Sequence, residues 1–225
     1  KEFMAFMGND KDYVATRIAH ALDLRGPAIS VHTACSTSLV AVIEAVKFLQ
    51  SGQADMALAG AAAVNAPIAS GHLYQEGGIF YKDGHCRPFD AEATGTMFSD
   101  GYACLVLKRL THAQRDGDHV YAVIKGWGLN NDGAEKSSFA APSVQGQSQF
   151  IRMALDKGKI YPRTIAYVEC HGTGTAIGDP IEIEGLKRAY EGWTKDKQFC
   201  AIGSVKANIG HLTAAAGGIG LIKAA

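Results

Sequence analysis

The sequence has no excess of charge: 22 Lys and Arg residues are matched by 22 Asp and Glu residues. Nothing therefore drives it toward nucleic acid or an anionic membrane surface. No apolar run approaches the ~18 residues that a membrane-spanning helix needs. The opening residues, KEFMAFMGNDKDY, lack the basic start and long apolar centre of a secretory signal. Five cysteines are scattered (Cys35, Cys86, Cys104, Cys170 and Cys200), with no CxxC pair among them. That absence removes the usual spacing of a zinc or dithiol site, so no metal is expected. A sparse, odd set of thiols suits a reducing compartment, and the expected location is cytoplasmic. Most of these cysteines read as small buried apolar residues. There is no tandem repeat, low-complexity tract or clear interdomain linker.

What is present is ordinary globular material. The 225 residues are 47% hydrophobic and 20% charged, enough for a sizeable core. The N-terminus opens without an obvious first strand, and the last residues, Gly218 to Ala225, form an uncapped apolar stretch. The expectation is an excised piece of a longer polypeptide.

Helical and extended patterns alternate. Residues 9–22 read as a helix with an Asn or Asp start. Gly26-Pro27 breaks the chain, and 28–33 read as a strand. Residues 36–50 carry Leu39, Val42, Ile43, Val46 and Leu49 at helical spacing, with Gly52 placed to end the helix. Residues 55–64 read as a buried strand, and a mixed Gly-rich segment runs from about 65 to 101. Residues 102–109 and 120–127 read as strands around a short helical connection, and 143–157 as helix. Strand–loop–helix units are expected at 165–170 with 180–191, and at 200–205 with 212 onward. Such alternation favours an α/β layered fold.

Three loops share one design: an apolar strand, a small-residue turn with a reactive side chain, then a helix. In layered α/β folds ligands usually bind at such strand ends. The first is VHTACSTSL, residues 31–39. Cys35 sits where the helix begins, where unpaired amides and the dipole favour a thiolate. A buried structural cysteine followed by Ser/Thr caps explains this segment equally well. The second is VECHGTGT, residues 168–175, where His171 enters a turn with two glycines and two hydroxyls, Thr173 and Thr175. Asp179-Pro180 then offers an N-cap and a Pro at the first helical position. Taken alone, a His that satisfies loop carbonyls is the simpler account. The third is GSVKANIGH, residues 203–211, carrying Lys206, Asn208 and His211. Taken alone, a solvated Lys and a capping His suffice. Together, one Cys and two His at strand-to-helix loops read as a nucleophile with two partners.

At these motifs the sequence resembles the β-ketoacyl synthase (ketosynthase) family. TACSTSLVA (33–41) resembles its nucleophile signature. ECHGTGTAIGDPIE (169–182) and SVKANIGHLTAAAG (204–217) resemble its two histidine signatures, in the family's order. CRPFDAEATGT (86–96), LVLKRL (105–110) and NNDG (130–133) also match, and NDKDYVATR with LYQEGGI has the flavour of modular type I polyketide synthases.

The resemblance implies a thiolase-like α-β-α-β-α layered fold, here incomplete. Residues 1–110 would end its N-terminal half and 111–225 begin its C-terminal half. It implies an acyltransferase that loads an acyl group on Cys35 and condenses it with a malonyl-type extender, in polyketide or fatty acid biosynthesis. His171 and His211 would stabilise the enolate, and Lys206 would tune His211 and hold its loop. Thr173, Thr175 and Asn208 would bind the substrate's pantetheine arm. No resident cofactor is implied, because substrates ride on the phosphopantetheine of a partner acyl carrier protein. A homodimer and neighbouring polyketide synthase domains in cis are the other implied partners. The family's later Gly-rich, Phe-containing gate and oxyanion loop has no counterpart in these 225 residues, so the resemblance implies inactivity for this stretch alone.

Two departures stand out. The family usually has small, Gly-rich residues after GT, where this chain has Met97-Phe98-Ser99-Asp100, a bulk expected to reshape the acyl pocket or a neighbouring loop. The AGG-type strand end reads Gly60-Ala61-Ala62. Three rivals remain at this level. A thiolase would need a second Cys, which the 204–217 loop lacks. A degenerate ketosynthase would serve only dimerisation or docking. A Cys/His hydrolase would need a residue orienting its base.

Overall fold

A computed structural model describes residues 2–67 and 71–225. The chain begins with helices α1 (Glu2–Asn9) and α2 (Val14–Ala21), joined by a short 3₁₀ turn that Asp10 caps. The expected helix over 9–22 is therefore split, and α1 precedes it. The segment around Cys35 enters α3 (Thr37–Gln50) through a 3₁₀ turn at Ala34–Ser36.

Strands β1 (Met56–Ala63) and β2 (Gly101–Lys108) follow and pair antiparallel, with Met56 opposite Lys108 and Ala63 opposite Gly101. Alternate residues of a strand face one side. Here the inward set is small on β1, Ala57 and Ala59, and large on β2, Leu105 and Leu107, and both meet Val42 and Ala45 of α3. Helix α4 (Leu110–Asp116) ends at Gly117, whose left-handed backbone serves as the cap.

The remaining elements are α5 (Val144–Gly158), β3 (Tyr167–Glu169), α6 (Gly178–Tyr190), β4 (Ala201–Gly203), α7 (Lys206–Ile209) and α8 (Ala216–Ala224). Ser143 caps α5 by accepting the Gly146 amide at 3.0 Å. Strands β3 and β4 are parallel, with Glu169 opposite Gly203. Both histidine loops therefore leave the same end of one sheet.

Helix α8 joins this half to the first. Gly217 and Gly218 let it lie against the start of α3, since a Cβ at Gly217 would meet Leu39 at 2.5 Å. The Gly218 amide donates to the buried Ser38 hydroxyl at 2.8 Å. Leu212 and Ala215 close the seam against Ala103.

Two expected strands are absent as such. Residues 28–33 and 120–127 form no ladder among the described residues. An extended segment becomes a strand only when a partner takes its backbone hydrogen bonds. Near 126–128 the chain runs instead against α5, so closely that a Cβ at Gly128 would lie 1.9 Å from the Phe150 carbonyl oxygen. Asp179 is also not the N-cap of α6, which begins one residue earlier. Among the described residues no helix is long and apolar enough to cross a membrane.

Candidate active site

The three chemistry-bearing loops converge. The ligand atoms of Cys35, His171 and His211 all lie within 4.8 Å of one another. Cys35 is half-buried at the head of α3, and the residue before it, Ala34, has a left-handed φ of 53°. An alanine adopts that conformation only when its surroundings impose it. The sharp turn carries the thiol to the start of the helix. The Thr33 amide donates to the Thr37 hydroxyl at 3.0 Å, and Thr37 and Ser38 are buried, which fixes the turn.

His211 is 2% exposed. Its Nδ1 accepts the Thr213 amide at 2.9 Å, so in the neutral ring the proton sits on Nε2. That makes Nε2 a donor. It also opposes metal binding at Nε2, which would need the lone pair there and a proton at Nδ1, facing the Thr213 N–H. Among the described residues the His211 ring is oriented by this amide and not by a carboxylate.

His171 meets His211 edge-on, with centroids 5.2 Å apart and planes at 90°. Its backbone is held from three directions. Glu182 on α6 accepts the His171 amide at 2.6 Å and the Gly172 amide at 2.8 Å. Lys206 Nζ donates to the His171 carbonyl at 2.6 Å. Ser204 adds bonds to the His171 and Gly172 carbonyls at 3.3 and 3.2 Å. Gly172 has φ 44°, and a Cβ there would meet Ser204 at 2.7 Å, so glycine is required.

Lys206 is 3% exposed. From the His211 loop it reaches across to the His171 carbonyl, so this bond ties one histidine loop to the other. Asp179 acts similarly at longer range: it accepts the Gly174 amide at 3.1 Å and the Phe89 amide at 2.7 Å. Thr175 does the capping expected of Asp179, accepting the Gly178 amide at 3.1 Å. Thr173 and Thr175 share a hydrogen bond at 3.0 Å and are half-buried, whereas Asn208 is exposed on α7. Sequence reasoning missed Glu182 and Asp179 as loop anchors. Their signal was an acidic residue in each of the first two turns of the helix after the His loop.

The electrostatics follow from this crowding. Burial pushes the Cys35 thiol up, opposed by the Lys206 cation and the Cys35 amide. Burial, then Lys206, then His211 bring His171 down to about 3, although one side of the residue remains open to solvent. Burial and then Lys206 bring His211 down to about 4. Both imidazoles are neutral at physiological pH. The site combines a half-buried thiol with neutral N–H donors, which suits stabilisation of an oxyanion more than proton abstraction.

Comparison with known proteins agrees with this geometry. Residues 1–113 match the β-ketoacyl synthase N-terminal domain and residues 121–225 its C-terminal domain. The chain is 50% identical over 212 residues to polyketide synthase PksN of Bacillus subtilis, covering 94% of this chain and 4% of that protein. It is 51% identical over 223 residues to a component of the phenolphthiocerol/phthiocerol polyketide synthase of Mycobacterium tuberculosis, covering 99% of this chain and 15% of that one. Ketosynthase twelve of the bacillaene polyketide synthase from Bacillus amyloliquefaciens superposes with a TM-score of 0.96 at 45% identity. That match takes in 99% of this chain and 40% of the solved one, so the chain has the thiolase-like ketosynthase fold and spans less than half the length of that ketosynthase. The chain belongs to the β-ketoacyl synthase family.

Proposed function

We propose that the protein carrying this chain is a β-ketoacyl synthase of polyketide biosynthesis, with Cys35 as its acyl acceptor. The observation that carries this reading is the Cys35–His171–His211 cluster, with the Nδ1 of His211 occupied and its Nε2–H free to donate.

The Cys35 thiolate attacks the carbonyl of an acyl thioester on an acyl carrier protein. The carrier's phosphopantetheine leaves as a thiolate and takes up the proton that Cys35 gave up, and the acyl group stays on Cys35. Lys206 favours the thiolate against the burial that opposes it. A malonyl-type thioester on a carrier then loses carbon dioxide. The electron pair of the broken C–C bond passes into an enolate, whose oxygen accepts from the histidine N–H donors. The enolate carbon attacks the acyl-Cys35 carbonyl and the C–S bond breaks. A β-ketoacyl carrier departs and the Cys35 thiolate returns. Thr173, Thr175 and Asn208, on the two histidine loops, are assigned to the pantetheine arm. Because the chain spans 40% of the solved ketosynthase it matches, carrier protein and homodimer are assigned to the whole protein.

The test is acyl loading followed by mass spectrometry on the full-length protein. Cys35→Ala should abolish the acyl adduct, and an adduct that survives elsewhere would sink the assignment. His211→Ala should leave loading within about tenfold while slowing condensation by about 10²–10³, the usual effect of losing one oxyanion donor. Equal loss of both would contradict the division of roles.

A further inference from the structure

Phe98 lies in the Met97–Asp100 segment, and its ring lies against His211. The backbones are stitched together first. The His211 amide donates to the Met97 carbonyl at 2.6 Å, and the Ser99 amide to the His211 carbonyl at 3.1 Å. Phe98 and His211 are thus partners in a parallel bridge. The Ser99 hydroxyl adds a bond to the Ile209 carbonyl at 2.6 Å.

The rings continue this contact. Phe98 and His211 have centroids 5.1 Å apart, tilted by 40°. Phe80 meets Phe98 edge-on at 5.7 Å. His72 stacks on Phe80 at 4.7 Å, and its Nε2 lies 2.9 Å from the Tyr81 carbonyl. Four rings therefore form a row that ends on the imidazole. The Phe80 end is itself fixed, because the Thr96 amide donates to Ile79 at 2.8 Å and the Tyr81 amide to Thr96 at 3.1 Å.

This row answers a geometric need. A histidine's χ2 torsion is broad and roughly two-fold, so one hydrogen bond at Nδ1 leaves the ring plane loosely set. His171 supports one side of the ring and Phe98 another. We infer that Phe98 is a positioning residue for His211: its ring sets the imidazole plane and keeps water off that side, so that Nε2–H stays aimed at the enolate oxygen. The inference rests on the condensing function proposed above. Phe98 acts through His211 and need touch no substrate. The titratable and charged groups facing His211 are Lys206, His171 and Cys35, while His72 is held off by two phenyl rings.

Removal of the ring should therefore loosen His211 and wet it. In the full-length protein, Phe98→Ala should load Cys35 within about threefold of wild type yet lower the condensation kcat by about 10- to 100-fold, as a misaimed oxyanion donor does. KM for the malonyl donor should not follow. The acid limb of the condensation profile should move up, from near 4 toward the ordinary histidine value. Phe98→Leu, which keeps most of the bulk, should recover most of the rate. Phe80→Ala should shift the limb in the same direction by less. NMR of ¹⁵N-histidine-labelled protein reads the His211 titration whether or not the enzyme turns over.

Wild-type kcat and an unmoved His211 titration in Phe98→Ala would overturn the inference. So would a folded variant that lost loading and condensation equally. Should Phe98→Ala not fold, Phe98→Leu and Phe80→Ala decide: an unmoved titration and unchanged kcat in both refute it. A wild type that loads Cys35 but never condenses refutes the proposed function instead, and leaves the His211 titration to judge Phe98.

Discussion

Acid should destabilise this protein through His211, and the size of the effect can be worked from the site. The imidazole is 2% exposed and titrates at about 4 instead of 6.5. Burial is the main cause and the Lys206 cation the second. A lowered pKa means that the folded state prefers the neutral ring. An unfolded chain takes up the proton near pH 6.5, whereas the folded chain resists until about 4. The stability contributed by His211 is thus fully present above pH 6.5, declines below it and is gone by about pH 4. The interval is about 2.5 pH units at 1.36 kcal/mol each, or about 3 kcal/mol, a large share of a typical domain's 5–15 kcal/mol. His171 acts in the same direction but keeps an exposed side, so solvent screening reduces its share. The assay is urea unfolding of the full-length wild type and His211→Gln at a series of pH values from neutral to about 4. The glutamine cannot titrate. The variant should be the less stable at neutral pH, from lost packing, and the gap should narrow by about 3 kcal/mol as pH falls. Parallel curves would refute the reasoning, because they would mean that His211 binds its proton equally in both states.

Two further perturbations test the surroundings of the site. Lys206→Met removes the cation that opposes burial at Cys35, so the thiol should titrate higher and the pH profile of Cys35 alkylation, followed by mass spectrometry, should move to more alkaline values. An unshifted profile would show that Lys206 does not act on the sulfur. Glu182→Ala strips the acceptor from two amides, His171 and Gly172. At about 1.5–3 kcal/mol for each bond to a charged group, the loss of stability should be about 3–6 kcal/mol, and Glu182→Gln should retain part of it. An unchanged unfolding midpoint in Glu182→Ala would contradict the anchoring role.

The parts of the site carried by short local motifs were legible in the sequence. Cys35, His171 and His211 each follow a strand-like run and a small-residue turn, and those patterns are local. Helix α3 was legible for the same reason, since its apolar spacing is written within a few residues. What failed was what depends on distant partners. Residues 28–33 and 120–127 have strand-like composition, yet a strand is defined by its neighbour. Asp179 looked like a cap because Pro180 follows it, but its carboxylate reaches back to Phe89 and Gly174. The partner of Lys206 could not be read from its own loop, because the carbonyl it binds lies 35 residues earlier. Phe98 was visible as an unusual residue, with the acyl pocket or a neighbouring loop as its expected target. Its ring lies on the neighbouring loop, at His211.

One buried cation links these observations. A lysine at 3% exposure must offset a considerable desolvation, and burial does lower the Lys206 pKa. Glu182 is the first of the groups that raise it again, so the carboxylate that holds the His171 loop also favours the charged form of Lys206. The charge then acts on three neighbours at once. It lowers the Cys35 thiol toward the nucleophilic form, and it helps to hold both His171 and His211 neutral. In the reaction proposed above, acyl transfer needs the sulfur ionised, which Lys206 favours against the burial that raises the thiol, and enolate stabilisation, with the sulfur acylated, needs neutral N–H donors. A neutral residue at 206 would work against both, by raising the thiol and making the imidazoles easier to protonate. In that proposed reaction the buried lysine does more than tie one loop to another: its charge favours the ionised sulfur in the first step and the neutral imidazoles in the second.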